Sequence, residues 1–297
     1  MKISAINTIK NITFSKTVSN PVSFKQGQDI FVKSSPTKTF KQIIENKRKF
    51  DISDYKSLSP SQIKEAKELA DEGVIYTAEE NLYAGELVKN YLDKTYGKDK
   101  YVFACIGTSP SGIGRVLEFM GVETKYFPAT NFRAYQWIND YLDENSEAEN
   151  KYLSFINEQG INEEEINKKD KTILFVDYTD RGDTLERFEL FMKERAKIDN
   201  EKIKYISLND ILTGCLPVRA FNEDYFRLSG YMTTFLTCGE IEKYAGIPHL
   251  RVQDFKDIDI IFNKNTGKKP ALYNLLLMEK LNEQGKLKEN PLNKDSL

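Results

Sequence analysis

The chain has 297 residues, with 43 Lys and Arg against 45 Asp and Glu, one His and three Cys, for a formal net charge of −2. A single imidazole, and cysteines at positions 105, 215 and 238 without CxxC spacing, exclude the common zinc sites. The balanced charge, a pI near 5.8 and a mean hydropathy of −0.53 argue against a broad nucleic-acid-binding surface and against a membrane-spanning helix.

The scattered, odd-numbered thiols make a poor disulfide framework, so free cysteines and a reducing, cytoplasmic setting are expected. Residues 1–56 read as a flexible leader. Their first part is rich in Ser, Asn, Thr and Lys, and Asn7, Lys10, Asn11 and Ser15 interrupt any run that would serve as a secretion signal.

Helical signals begin at Ser59-Pro60, a cap residue followed by proline in the first turn, with Ile63, Ala66, Leu69 and Ala70 on one face. A second helix is predicted from a capping box at Thr77–Glu80, carrying Ala84, Leu87, Val88, Tyr91 and Leu92 and stopping near Gly97. Both precede the first strand, Tyr101–Ile106, and are expected to cover a face or edge of its sheet. The loop GTSPSG, Gly107–Gly112, then opens a helix with Ile113, Val116, Leu117 and Met120 buried, ended by Gly121.

A short strand, Thr124–Pro128, precedes a helix with Ala134, Trp137, Ile138, Tyr141 and Leu142 in register, and an acidic surface stretch extends from Asp143 to Glu165. Thr172–Val176 is apolar nearly throughout, as expected of a strand buried on both faces of a parallel sheet. It runs into Asp177–Thr184 and a helix with Leu185, Phe188 and Met192, and Ile203–Leu208 is the fourth strand. Strand, loop and helix in repetition predict an α/β fold with a parallel sheet flanked by helices, whose ligand lies at the strands' carboxyl ends. The chain divides into the leader, an α/β domain over 57–262 and a C-terminal helix with a disordered tail over 263–297. Asn209–His249, rich in aromatics, is expected to cap the substrate.

Two loops fall at those strand ends. Asp177–Thr184 places three carboxylates, Gly182 and a hydroxyl before a helix N-terminus, where backbone N–H groups and the helix dipole favour a phosphate. Asp177 and Asp180 suit ribose hydroxyls or Mg2+, because hard carboxylate oxygens match that cation. The segment ILFVDYTDRGDTL resembles the phosphoribosyl-diphosphate loop of the type I phosphoribosyltransferases, an apolar strand, two acids and a Thr-Gly-x-Thr turn opening a helix. Asp177 matches the first acid, Gly182 the glycine and Thr184 the last hydroxyl; Tyr178 replaces the second acid unless Asp180 takes its role, and Arg181 replaces a small hydroxyl residue. GTSPSG stands where that family places its diphosphate loop, and Ile113-Gly114 excludes a Walker A motif.

The resemblance covers about a third of the chain, Tyr101–Leu208. It implies a phosphoribosyltransferase-like core that binds a ribose phosphate or nucleotide-like small molecule with Mg2+ and displaces diphosphate from the anomeric carbon. Asp177 and Asp180 would face ribose and metal; Gly182, Asp183 and Thr184, with Arg181 adding charge or filling the pocket, would cradle the 5′-phosphate. Thr108, Ser109 and Ser111, between Gly107 and Gly112, would approach the diphosphate. Two other readings stay open: a non-catalytic nucleotide- or phosphosugar-binding module of the same fold, and a sugar isomerase-like domain using GTSPSG. The loops also have plain explanations, a capped strand-to-helix turn and a glycine turn. Cys105 reads as a core residue, the alternative being a thiol nucleophile paired with His249 and Asp254 or Asp257.

Overall fold

The computed structural model describes residues 38–44, 50–107, 109–127, 147–178, 183–215, 248–253, 257–262 and 268–288. In chain order the first elements are α1 (Phe40–Ile44), α2 (Ile52–Lys56), α3 (Pro60–Leu69), α4 (Glu72–Tyr96), β1 (Tyr101–Ile106), α5 (Ser111–Phe119) and β2 (Thr124–Phe127). There follow α6 (Glu147–Glu158), α7 (Glu163–Lys168), β3 (Thr172–Asp177), α8 (Asp183–Glu194), β4 (Ile203–Ser207) and α9 (Leu208–Cys215). The last are β5 (Pro248–Gln253), β6 (Asp257–Phe262) and α10 (Lys268–Glu283).

Strands β2-β1-β3-β4, in that spatial order, form an all-parallel sheet, with Phe103 opposite Thr124, Tyr101 opposite Thr172 and Ile173 opposite Ile203. Alternation along β1 and β3 sends Phe103, Cys105, Leu174 and Val176 to one face, and Val102, Ala104, Ile106, Ile173 and Phe175 to the other. Both sets are buried, which explains why these strands read as continuous apolar runs. Helices α3, α4, α5, α9 and α10 cover the first face; α6, α7 and α8 cover the second through Tyr152, Phe155, Ile166, Phe188 and Met192. The acidic stretch is therefore two amphipathic helices. The expected α/β fold with a parallel sheet and flanking helices is observed. None of the described helices is long and apolar enough to cross a membrane.

Helix starts follow side-chain caps. Ser59 caps α3 with a reciprocal bond from its own N–H to Gln62 Oε1, 2.8 Å, and Pro60 occupies the first turn. Helix α4, by contrast, begins five residues before the predicted Thr77, at Glu72. Asp71 Oδ1 accepts the Val74 N–H at 2.9 Å, while the Thr77 hydroxyl donates back to the Gly73 carbonyl at 2.6 Å, an in-helix bond in place of a cap.

The core reaches further along the chain than periodicity indicates. Phe40, Ile44, Phe50, Ile52 and Tyr55, within the span read as a leader, are buried in the same cluster as α10. The rings of Phe40 and Phe50 meet edge-on at 5.9 Å, and the Tyr55 hydroxyl donates to Glu279 at 2.6 Å. Helices of five residues are too short to display a hydrophobic period. The segment after α10, predicted to be disordered from its composition, is docked as far as Lys288, whose N–H donates to the Phe119 carbonyl at 2.8 Å. Helix 134–142, residues 216–247 of the predicted cap and leader residues 1–37 lie outside the described residues. Beyond them, β5 and β6 form an antiparallel hairpin in a sheet of its own.

Helices α4 and α5 pack closely because Gly85 has no side chain: a β-carbon there would stand 2.6 Å from Val116 Cγ1 and 2.8 Å from its Cβ. Gly85→Ala should therefore destabilise the protein by about 1–3 kcal/mol, the usual cost of overpacking. Urea unfolding checks it: a lower midpoint with an unchanged slope is expected.

Candidate functional site

The site begins with a property of the sheet. Strands β1 and β3 are hydrogen-bonded neighbours, yet the helices that follow them take opposite faces. In α5, Ile113, Val116 and Leu117 pack with Phe103 and Leu174, whereas in α8, Phe188, Phe191 and Met192 pack with Ala104 and Phe175. The chain thus diverges from two adjacent carboxyl ends, the position at which open α/β sheets place their ligands.

At the end of β1, Gly107 has φ of 70° and its N–H donates to the Phe127 carbonyl at 2.8 Å. Glycine is required there for its backbone angle, since a β-carbon would meet nothing within 4 Å. Ser109 is half-buried, and Pro110 precedes α5 without a side-chain cap, so the first-turn N–H groups of α5 receive no side-chain acceptor from that position. Ser111 and Gly112 lie inside the first turn and are buried. Thr108 lies outside the described residues.

At the end of β3, Asp177 is 7% exposed and stands opposite Ser207 of β4. Tyr178 is half-buried and packs against the core cluster on the α4 and α5 side, so the residue in place of the second acid anchors the loop to the core. Thr184 is half-buried in the first turn of α8. The structure therefore brings Gly107, Ser109, Asp177 and Thr184 to neighbouring strand ends; Asp180, Arg181, Gly182 and the Asp183 side chain lie outside the described residues.

Beneath the first loop lies a buried polar network that sequence periodicity does not reveal. Arg115 Nη1 donates to Glu118 Oε2 at 2.6 Å, with side chains 3% and 8% exposed, and the Tyr126 hydroxyl donates to the same oxygen at 2.9 Å. The guanidinium also faces the rings of Tyr126 and Phe119, 5.4 and 5.8 Å from their centroids. Nearby, Asn81 Nδ2 donates to the Tyr273 hydroxyl at 2.9 Å, which reaches the Gly112 carbonyl at 3.5 Å. The first turn of α5 is thus held from α4 and α10 at once. On a helical wheel Arg115 and Glu118 read as a solvent face; Tyr126 of β2 and the nearby Tyr273 of α10 belong to the surroundings that make them interior.

Burial sets the electrostatics of this layer. Desolvation works against the charge on Arg115, but Glu118 and the nearby Tyr126 and Tyr273 outweigh it and raise its pKa. Desolvation also pushes the Cys105 thiol well above its ordinary range, with Glu118 and Asp177 adding to the rise and Arg115 opposing it. Cys105 is fully buried, and its Sγ points at the Pro110 carbonyl at 3.7 Å. A neutral, enclosed thiol is a core residue and not an activated nucleophile. His249 lies in β5 opposite Ile261 and Asp257 opens β6, both in the separate hairpin; Asp254 is outside the described residues.

Two outcomes follow from this layer. Cys105, Tyr126 and Tyr273 all have pKa values raised by burial from ordinary values of 9.0, 10.0 and 10.0, so above those values the folded state holds protons that the unfolded state has lost. Their stabilising contribution is complete below about pH 9 and declines as pH rises further, and Cys105→Ala should remove the earliest part of that decline in a pH series of denaturant midpoints. A β-carbon at Gly114 would stand 2.4 Å from Cys105 Sγ. Gly114→Ala should therefore cost about 1–3 kcal/mol, and Cys105→Ala in the same chain should restore part of it. A strictly additive cycle would exclude this contact as the cause.

Comparison with known proteins finds no family model that matches the chain, and no matching curated protein or solved structure.

Proposed function

We propose that this protein is phosphoribosyltransferase-like and binds a ribose phosphate, or phosphoribosyl diphosphate with Mg2+, in the crevice between the β1 and β3 loops. One observation carries this: adjacent strands β1 and β3 send α5 and α8 to opposite faces, and both unusual loops sit at that divergence. Residues of the required kinds are present at the two ends. The buried Asp177 carboxylate closes β3, Thr184 opens α8, and α5 begins without a side-chain cap.

The chemistry would be displacement of diphosphate from the anomeric carbon, which depends on positioning and charge stabilisation more than on an acid-base histidine. Asp177 would orient the ribose through its hydroxyls. Thr184 and the backbone N–H groups of the α8 turn would fix the 5′-phosphate, with Gly182 allowing close approach. The N–H groups at the start of α5 would face the diphosphate. Among the described residues no three His, Cys, Asp or Glu side chains converge on one point. Mg2+ commonly takes only one or two carboxylates and completes its shell with water and substrate phosphates, so Asp177 is of the kind that would hold that cation. When bound it would neutralise charge on the departing diphosphate.

Tyr178 favours a second reading. Its packing against the core fills the second acid's position with an aromatic anchor, as suits a module that binds a phosphosugar or nucleotide without turnover. Calorimetry with ribose 5-phosphate, and with phosphoribosyl diphosphate plus Mg2+, is expected to show saturable binding, weakened about tenfold or more in Asp177→Asn and Thr184→Ala. Absence of heat at millimolar ligand overturns the proposal. Phosphorus NMR separates the two readings, since only the enzyme releases diphosphate when acceptors are supplied.

A further inference from the structure

The end of the sheet away from the crevice carries a different cluster. Glu123 immediately precedes β2 and is nearly buried, its carbonyl accepting the Phe103 N–H at 2.9 Å. Its carboxylate is faced by three lysines: Lys171 Nζ at 2.9 Å, Lys169 Nζ at 3.5 Å and Lys125 Nζ at 3.9 Å. Lys125 lies within β2, and Lys169 and Lys171 directly precede β3, whose first N–H, at Thr172, donates to the Lys100 carbonyl at 2.9 Å. The cluster is therefore mounted on the fixed amino ends of paired strands.

Neighbouring charges are already committed. Lys100 pairs with Asp170, and Lys202 Nζ donates to the carbonyls of Asn167 and Lys169 at 3.2 and 2.9 Å. Among the described residues, Glu123 is the only carboxylate paired with Lys125, Lys169 and Lys171. Among the described residues, three ammonium groups against one carboxylate leave an excess of two positive charges, and side chains only 17%, 32% and 31% exposed are weakly screened by salt. Desolvation lowers the Lys125 pKa; Glu123 opposes that fall, and Lys169 and Lys171 add to it.

We propose that Lys125, Lys169 and Lys171 form a binding site for a phosphate-type dianion at the amino-terminal edge of the sheet, separate from the crevice. The excess of two positive charges matches a phosphate or phosphate monoester, and ammonium groups bind such a ligand as point charges. The site is compact, gathered round a single carboxylate on a chain of net charge −2, which fits a small anion and not a polyanion. It lies roughly 20 Å from the crevice, the length of a six-residue strand. Glu123 holds the lysines together and competes with the ligand for them.

The test is calorimetric titration of the full chain with inorganic phosphate, and separately with glycerol phosphate, at constant ionic strength in chloride. Saturable binding is expected, weakened about tenfold or more in Lys169→Gln/Lys171→Gln. Glu123→Gln removes the competitor and is expected to tighten binding severalfold. It serves as the decisive variant if the double lysine substitution does not fold. Preference for glycerol phosphate over inorganic phosphate identifies a monoester as the ligand, and the reverse identifies the free ion; either supports the site. The proposal is overturned if affinity is unchanged in both sets of variants, if it falls only in Thr184→Ala, which assigns phosphate to the crevice, or if an oligonucleotide binds and phosphate does not.

Discussion

The structure depends on the burial of β1 and β3 on both faces. Two adjacent parallel strands with almost no polar side chain cannot face water, so each face of the sheet must be covered by helices. In this sheet the helices that leave the neighbouring strands β1 and β3 depart to opposite faces. That divergence is the ground for the proposed site at the carboxyl ends, near which the buried Asp177 and the starts of α5 and α8 lie.

The two faces are built differently. Over Ala104 and Phe175 the described cover is α6 to α8, held by aromatic packing such as the edge-on approach of Phe127 to Phe175, with centroids 5.2 Å apart. Over Phe103 and Leu174 the cover is deeper, because α10 lies over α4 and α5 and turns α5 into an interior helix. An interior helix that retains Arg115 and Glu118 must pair them, since an uncompensated buried charge costs far more than the pair returns. The pairing, with Tyr126 and the bond from Tyr273 to Gly112, ties the first turn of α5 to elements distant in the chain. This depth has a further effect: the β1 loop is supported from beneath by the C-terminal helix, so the expected site is not the property of the central third of the chain alone.

The two ends of the sheet also differ in charge. The carboxyl end presents Asp177 and the starts of α5 and α8, while the amino end gathers lysines round Glu123. A formal net charge of −2 conceals this separation, because composition sums over positions that the fold sets far apart.

The four strands of the parallel sheet, their order along the chain, the glycine turn after β1 and the cap at Ser59 were legible in the sequence, because each depends on residues close together. An apolar run demands two-sided burial, glycine with positive φ marks a turn, and a serine before proline starts a helix. Tertiary structure alone decided what depends on distant partners. It recruited Phe40, Phe50 and Tyr55 to the core, buried Arg115 and Glu118, and collected three lysines round Glu123. The physical reason is common to all of these: burial and pairing are properties of neighbours in space, and a helical face or a lone charge does not state in sequence what will come to cover it.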